Sequence, residues 1–286
     1  MSKILVFGGS GQLGQCLKSV CADKDMIFLS SEEADICNEV QLEGKFIQYK
    51  PSHVINCAAY TAVDKAEDEE EKASEINAVA PRIIAQLCKR FNTVLIHIST
   101  DFVFEGNQTG LLDETYPTKP TGVYGKTKLN GEIAIQQIWD KHIIIRTSWL
   151  YSEYGHNFVK TMLRLAQDRE ELKVVADQVG TPTYAPDLAK VLCKMVDNTE
   201  HRYGLYHYSN EGVASWYDFA CAIFELNSTN MRVLPIKTAD FPTKAQRPAY
   251  SVLDKSKIKE QFNLLIPNWR ESLTVCLQRL KEVQNQ

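Results

Sequence analysis

The sequence predicts an α/β fold, a doubly wound parallel Rossmann sheet with a smaller α/β C-terminal domain. Short apolar runs rich in Ile and Val alternate with segments of helical periodicity through the first half of the chain. Near-continuous apolar runs of this kind suit strands that are buried on both faces of a parallel sheet. A glycine-rich segment joins the first run to the first helical segment. After about residue 150 the simple alternation ends, which indicates a second unit.

Five strands are predicted in the first half: 3–7, 26–29, 53–59, 93–99 and 142–148. Four segments with helical periodicity lie between them: 11–22, 39–49, 74–91 and 124–139. The acidic run 68–72 is expected to begin a solvated helix, since acids suit the positive end of the helix dipole. Strands that alternate with helices in this way favour a doubly wound sheet.

The second half is predicted to carry helices at 157–167, 185–196, 215–226 and 267–283, with strand-bearing segments at 172–183 and 204–210. We therefore expect residues 1–150 to form a dinucleotide-binding Rossmann domain, to which a segment near 170–210 returns. Residues 151–286 are expected to form mainly a substrate domain.

Composition excludes several classes of protein. A net charge of −4 leaves no basic footprint, so nucleic acid is not expected as a partner. The N-terminal apolar run is too short for a signal peptide, and no stretch is long enough to span a membrane, so a cytoplasmic protein is expected. The eight cysteines and six histidines show no metal-site spacing. The cysteines are predicted to be buried or half-buried thiols, and no metal is expected.

Three glycines, Gly8, Gly11 and Gly14, lie between the first strand and the first helix. The spacing differs from the common G-x-G-x-x-G pattern. The physical use is the same, because a tight turn brings backbone N–H groups close to a pyrophosphate at a helix N-terminus. Placed between a strand and a helix, the segment predicts a dinucleotide site.

The end of the second strand bears on the choice of cofactor. Ser30 stands where NAD-binding proteins place an acid for the ribose, and no arginine follows to hold a 2′-phosphate. We expect NADPH to be the cofactor, with NADH possible. Asp35 and Ile36 are expected to frame the adenine.

Three polar residues predict hydride-transfer chemistry. Thr100 ends the fourth strand, where ligands bind in open α/β sheets. Tyr124 and Lys128 lie four residues apart, on one face of a helix. Tyr124 is expected to donate a proton to a ketone oxygen, Lys128 to lower the pKa of Tyr124 and hold the nicotinamide ribose, and Thr100 to bond the same oxygen.

These motifs resemble those of the extended short-chain dehydrogenase/reductases and, more narrowly, the dTDP-4-dehydrorhamnose reductase family. The resemblance runs nearly end to end. Its specific part is the combination of "AAYTAVDKAE", "RTSWLY" and "DQVGTPT". It implies NAD(P)H-dependent reduction of the 4-keto group of dTDP-4-dehydro-β-L-rhamnose to dTDP-L-rhamnose, with Tyr124 as the acid.

The resemblance also implies roles for individual residues. The cofactor phosphates are expected at Gly11, Gln12 and Leu13, and the ribose-nicotinamide half at Ala59, Tyr60 and Thr61. For the dTDP-sugar it implies Thr100, Asp101, Trp149, Asn157 and Arg247, with Trp149 against the sugar and Arg247 on the diphosphate. From the residues alone, Trp149 as a core side chain and Arg247 as a surface arginine stay open. Trp216 and Tyr217 are expected in the core.

Some relatives dimerise around a cation held by acids in the first helix and after "GTPT". Here those places offer Cys16 and only Asp187. The sequence leaves a monomer or a homodimer open. Two other functions also stay open: a sugar-nucleotide epimerase or dehydratase of the same superfamily, and a non-catalytic subunit like the regulatory subunit of methionine adenosyltransferase.

Overall fold

A parallel sheet of six strands lies at the centre of the fold. The computed structural model describes residues 3–198 and 202–284. The strands in these ranges are β1 (Ile4–Phe7), β2 (Met26–Leu29), β3 (His53–Asn56), β4 (Val94–Thr100), β5 (His142–Thr147), β6 (Leu150–Tyr151), β7 (Glu171–Val175), β8 (Val179–Gly180), β9 (Thr183–Tyr184), β10 (Gly204–His207), β11 (Ala214–Ser215) and β12 (Arg232–Ile236). The central sheet has the order β2-β1-β3-β4-β5-β10, and every neighbouring pair is parallel. The predicted α/β fold is confirmed.

Helices cover both faces of this sheet. They are α1 (Gln12–Val20), α2 (Glu39–Tyr49), α3 (Val63–Ala66), α4 (Glu70–Ser74), α5 (Ala80–Arg90), α6 (Val123–Ile138), α7 (Phe158–Leu165), α8 (Ala185–Asp197), α9 (Trp216–Leu226), α10 (Ser256–Phe262) and α11 (Trp269–Gln284). One core is formed where α1, α8 and α10 pack on the sheet, and a second where α2, α5 and α6 pack on the other face. Within the described ranges, no helix combines the length and apolar character needed to cross a membrane.

The order of the strands creates a crevice at one edge of the sheet. β1 pairs with β2 on one side and with β3 on the other. The connections that leave these strands therefore diverge to opposite sides of β1. In open α/β sheets, ligands bind outside the carboxyl ends of the strands at such a reversal.

A π-helical turn, Glu75–Val79, interrupts the helix predicted for residues 74–91. Pro81 has no N–H, so an α-helical hydrogen bond to the carbonyl of Asn77 cannot form there. α6 passes very close to this carbonyl, because a Cβ added at Gly131 would lie 2.2 Å from it. The turn places the Asn77 side chain against the loop that follows β3.

Beyond β5, the described part of the chain adds three two-stranded sheets and five α-helices, of which α8 and α10 pack on the central sheet. β6 pairs with β9, β7 with β12, and β8 with β11. Helices α7, α9 and α11 enclose a separate apolar core beside these strands. β10 leaves this region and joins the central sheet next to β5. The domain boundary at residue 150 stays a prediction.

One cysteine pair differs from the prediction. Cys21 and Cys193 form a disulfide with 6.4 Å between their Cα atoms, and the other six cysteines are free. Cys21 caps α1 and Cys193 belongs to α8, and these helices pack side by side on the sheet. The expectation that every cysteine is a free thiol was therefore wrong for Cys21 and Cys193, which lie 172 positions apart in the sequence.

Candidate active site

A cleft of about 840 Å³ opens at the carboxyl ends of β1, β3, β4 and β5. Its walls come from the glycine segment, the loops after β2 and β3, the end of β4, the first turns of α6, and residues 147–150. Most of the predicted site residues line this cleft: Gly8, Gly11, Gln12, Leu13, Asp35, Ile36, Ala59, Thr61, Thr100, Asp101, Tyr124, Lys128 and Trp149. Ser30, Tyr60, Asn157 and Arg247 are not among its lining residues.

The glycine segment forms a tight turn in which Gly8 and Gly14 leave no room for a side chain. Gly8 has φ +75°, and an added Cβ would lie 2.7 Å from the Ala58 nitrogen. At Gly14 a Cβ would lie 2.4 Å from the Gly8 carbonyl oxygen, so α1 packs directly on the turn. α1 begins at Gln12 without a capping side chain. Its first N–H groups can therefore bind an anionic group, which fits a dinucleotide pyrophosphate.

In the loop after β2, Ser30 is bonded to Glu33 and is not a lining residue of the cleft. Its N–H donates to Glu33 Oε2 at 2.8 Å, and Ser30 Oγ accepts from the Glu33 N–H. Hydrogen bonds from the Ser30 backbone and side chain lower the pKa of Glu33. Ser31 lines the cleft instead, together with Asp35 and Ile36. A contact between Ser30 and a cofactor stays a prediction.

The loop after β3 is held by Asn77. The Tyr60 N–H donates to Asn77 Oδ1 at 2.9 Å, and the Tyr60 carbonyl accepts from Asn77 Nδ2 at 3.1 Å. The Tyr60 hydroxyl donates to Glu69. Tyr60 therefore anchors the loop, while its neighbours Ala59 and Thr61 line the cleft.

Thr100, Tyr124 and Lys128 meet in the same part of the cleft. Enclosure raises the pKa of Tyr124 to about 12, a hydrogen bond with Thr100 lowers it, and the Asp101 carboxyl raises it. Lys128 was expected to lower the pKa of Tyr124, but in the structure burial dominates and the pKa is raised. Lys128 is buried and its Nζ donates to the Ile98 carbonyl at 2.6 Å. In this arrangement the amino group is bonded to β4.

Asp101 is a buried carboxyl beside Thr100. Its Oδ1 accepts from the Thr100 hydroxyl at 3.2 Å, and its Oδ2 has no hydrogen-bond partner in the described part of the chain. Burial raises the pKa of Asp101 to about 6, and the nearby hydroxyl groups of Ser251 and Thr100 lower it. An unpaired carboxyl oxygen at the cleft can bind a sugar hydroxyl.

Trp149 is held in a strained conformation at the cleft wall. Its φ is +47°, which is rare for a bulky residue and recurs at functional sites. Its indole stacks on Trp216, with ring centroids 3.6 Å apart and an interplanar angle of 9°. A Cβ at Gly180 would lie 2.9 Å from the Trp149 ring. Trp216 and Tyr217 are partly buried against the C-terminal core.

Asn157 and Arg247 lie outside the cleft lining. Asn157 caps α7 and donates to Gln12 Oε1 at 3.0 Å, so it touches the glycine segment through that side chain. Arg247 forms a two-pronged ion pair with Asp64, at 3.0 and 2.6 Å. Binding of a diphosphate by Arg247 stays a prediction.

Four polar residues beside the cleft were not singled out from the sequence: Asn56, Asn77, His97 and Glu132. Asn56 and His97 are polar residues inside apolar strand runs, which is a signal that could have identified them. Glu132 lies one turn beyond Lys128 on α6. Asn77 carries no such signal, because its role depends on the π-helical turn.

No cluster of three or more His, Cys, Asp or Glu side chains able to hold a metal occurs among the described residues. Cys16 is buried beside Ser152, and burial raises the pKa of its thiol to about 12. Asp187 is engaged by Lys190, Asn210 and Ser272.

Known proteins match this chain along nearly its whole length. Residues 2–282 match the family described as the RmlD substrate binding domain. A dTDP-4-dehydrorhamnose reductase of Aggregatibacter actinomycetemcomitans is 42% identical over 96% of this chain and 97% of that protein.

Two solved structures are similar throughout. The dTDP-4-dehydrorhamnose reductase of Clostridium acetobutylicum has a TM-score of 0.94 and 40% identity, covering 98% of this chain and 99% of that one. The dTDP-4-dehydrorhamnose reductase of Bacillus anthracis, solved in complex with NADP, has a TM-score of 0.94 and 38% identity, covering 98% and 100%.

Proposed function

Since the chain belongs to the RmlD substrate binding domain family, we propose that it is an NADPH-dependent dTDP-4-dehydrorhamnose reductase. The reaction reduces the 4-keto group of dTDP-4-dehydro-β-L-rhamnose and yields dTDP-L-rhamnose. NADPH is the principal cofactor, and NADH is a possible substitute. We further propose that the enzyme acts in the cytoplasm, as a monomer or homodimer.

The observation that carries this proposal is the convergence of two sets of residues on one cleft. The tight glycine turn and the uncapped start of α1 lie at one end. Thr100, Tyr124 and Lys128 line the same cleft. A bound NADPH would supply the hydride. Tyr124 then donates its proton to the oxygen at sugar C4, and the Thr100 hydroxyl orients that oxygen by a hydrogen bond.

Lys128 and Asp101 assist the reaction in different ways. Tyr124 has its pKa raised to about 12, so it holds its proton until the ketone oxygen gains charge. An ammonium group on Lys128 stabilises the phenolate that remains. The free oxygen of Asp101 is placed to bond a sugar hydroxyl and so to orient the ring.

Trp149 forms the apolar side of the proposed sugar pocket. Its indole, stacked on Trp216, lines the cleft, and an aromatic side chain there suits the methyl group of a deoxysugar.

The two alternative functions have weaker support. An epimerase or dehydratase needs further acids or bases, and Asp101 is the carboxyl that lies beside Thr100. A purely regulatory protein does not need the complete set of Thr100, Tyr124 and Lys128.

The experiment is an assay of NADPH absorbance with purified protein and enzymatically generated dTDP-4-dehydrorhamnose. We expect one NADPH to be consumed for each dTDP-L-rhamnose formed. Conversion of the sugar nucleotide to an isomer of the same oxidation state, without net consumption of NADPH, would indicate the epimerase alternative. Binding of NADPH without oxidation would contradict catalysis and favour the regulatory alternative.

A further inference from the structure

Lys128 is in contact with a histidine that has no role in the reaction outlined above. Its Nζ lies 3.3 Å from Nε2 of His97, a buried residue in the middle of β4. His97 is also the register partner of Asn56 on β3. These three side chains form a buried polar row that runs from β3 to α6.

The direction of the hydrogen bonds in this row is set at its far end. The backbone N–H of Ala58 donates to Asn56 Oδ1 at 3.1 Å, which fixes the orientation of the Asn56 amide. Asn56 Nδ2, a donor, therefore faces His97 Nδ1 at 3.1 Å. His97 Nδ1 must accept, so in the neutral ring the proton is on Nε2.

His97 consequently presents an N–H to the nitrogen of Lys128. An ammonium nitrogen has only donors, whereas a neutral amine also has a lone pair that can accept. The hydrogen bonds of the row are therefore complete only when Lys128 is an amine. A protonated Lys128 would face a second donor.

We propose that His97, oriented by Asn56, is a positioning residue that favours the amine form of Lys128 and so sets the pH at which this side chain changes charge. The inference rests on the proposed function, because the charge of Lys128 matters to catalysis through Tyr124. Activity needs the ammonium form when Tyr124 gives up its proton. His97 thus sets the alkaline limit of the reaction.

The surroundings of both groups agree with this assignment. Burial lowers the pKa of Lys128 to about 8, while Glu132 and Cys57 raise it. Burial and the facing Lys128 lower the pKa of His97 well below its usual value, so the ring is neutral. Three other ionisable groups lie around Lys128: the thiol of Cys57, Tyr124 one turn earlier on α6, and Glu132, which is paired with Arg146 of β5.

The substitution Asn56→Asp tests the proposal, because it reverses the direction of the hydrogen bonds in the row with little change in side-chain shape. A carboxylate has two acceptor oxygens, one for the Ala58 N–H and one for an Nδ1–H of His97. The His97 proton then moves to Nδ1, and Nε2 accepts from the Lys128 ammonium. We expect the titration of Lys128, followed by NMR of its side chain, to move up by about one to two pH units. The alkaline limb of the kcat profile should move equally.

The charge that Asn56→Asp adds is controlled by repeating the substitution in a His97→Phe background. Most of the upward shift should disappear there, because the effect passes through the imidazole. A shift of equal size without His97, or an unchanged Lys128 titration in Asn56→Asp, overturns the proposal.

Nitrogen-15 NMR of the unaltered protein gives an independent test. It should show His97 protonated on Nε2, and a proton on Nδ1 would overturn the proposal even if the variants fail to fold. Because these titrations need no turnover, they can succeed while the assay for the proposed function fails, which keeps the two outcomes distinct.

Discussion

Arg146 of β5 and Glu132 of α6 form a two-pronged ion pair that is buried beside the cleft. Arg146 Nε lies 3.0 Å from Glu132 Oε1, and Nη2 lies 2.7 Å from Oε2. The hydroxyl of Ser99, which precedes Thr100, donates to the same carboxylate. The Glu132 carboxylate therefore ties α6, which carries Tyr124, to β5 through Arg146 and to the end of β4, which carries Thr100, through Ser99.

Removing one member of this pair should destabilise the fold strongly. Arg146→Met leaves the Glu132 carboxylate buried without its partner, and we expect a loss of about 3–5 kcal/mol in the free energy of unfolding. The double variant Arg146→Met with Glu132→Leu should recover part of this loss. Urea unfolding measures both. A single variant as stable as the unaltered protein would show that the pair is dispensable.

Tyr124→Phe removes the proposed acid while keeping the ring. We expect kcat to fall by roughly 10²- to 10⁴-fold, the usual contribution of a general acid, with NADPH affinity retained. Steady-state kinetics and a fluorescence titration with NADPH check the two parts. Tyr116→Phe, a change at an exposed tyrosine outside the cleft lining, is the matched control. Full activity of Tyr124→Phe would refute the mechanism.

Trp216→Leu should loosen Trp149 without touching the proposed cofactor end of the cleft. The stacked pair is worth about 0.5–1.5 kcal/mol. We therefore expect KM for the dTDP-sugar to rise by about two- to tenfold, with NADPH affinity unchanged. The near-UV circular dichroism of the stacked indoles should weaken. Tyr217→Phe, the next residue of α9, is the control. An unchanged KM would mean that the stack does not position Trp149.

Gly14→Ala and Gly44→Ala separate crowding from helix propensity. A Cβ at Gly14 would lie 2.4 Å from the Gly8 carbonyl oxygen, whereas one at Gly44 meets nothing within 4 Å. We expect Gly14→Ala to cost roughly 1–3 kcal/mol and to weaken NADPH binding. Gly44→Ala should stabilise the protein by roughly 0.5–1 kcal/mol, because alanine favours a helix. Thermal unfolding with and without NADPH measures both effects. Equal changes in stability for the two variants would contradict the close packing of Gly14 on Gly8.

Asp101→Asn should change how stability depends on pH. Burial raises the pKa of Asp101 to about 6, so the folded state binds this proton more tightly than the unfolded state. The group therefore favours folding fully below its ordinary pKa of about 4, and this contribution is lost as the pH rises through about 6. Replacing the carboxyl by an amide should leave stability similar at about pH 4.

At pH 7 the same variant should be more stable than the unaltered protein by about 1–3 kcal/mol. Unfolding in urea across this pH range is the measurement. Asp113→Asn is the control, and its effect on stability should vary with pH in the opposite direction, because hydrogen bonds from Thr115 lower the pKa of that carboxyl. A stability difference for Asp101→Asn that does not vary with pH would contradict the assignment.

The predictable part of this protein depends on neighbours in the sequence. The apolar runs identified the strands, since a parallel sheet buries both faces of each strand. Gly8, Gly11 and Gly14 marked the turn, because only glycine leaves room for a backbone contact of this kind. The helical repeat alone was enough to predict that Tyr124 and Lys128 lie on one face of a helix.

The rest depends on contacts between distant segments. Asn56 meets His97 because β3 and β4 pair in register, and His97 meets Lys128 because α6 packs across β4. Trp216 was expected in the core, but its stacking on Trp149 across the cleft wall was not foreseen.

The sequence by itself therefore determined the α/β class, the glycine turn and the residues proposed to carry the chemistry. Tertiary structure alone decided that Cys21 pairs with Cys193, that Arg247 is held by Asp64, and that burial raises the pKa of Tyr124 where a cation was expected to lower it. The physical reason is that spacing along a chain reports local geometry. Burial, pKa and long-range pairing depend on which elements pack together in space.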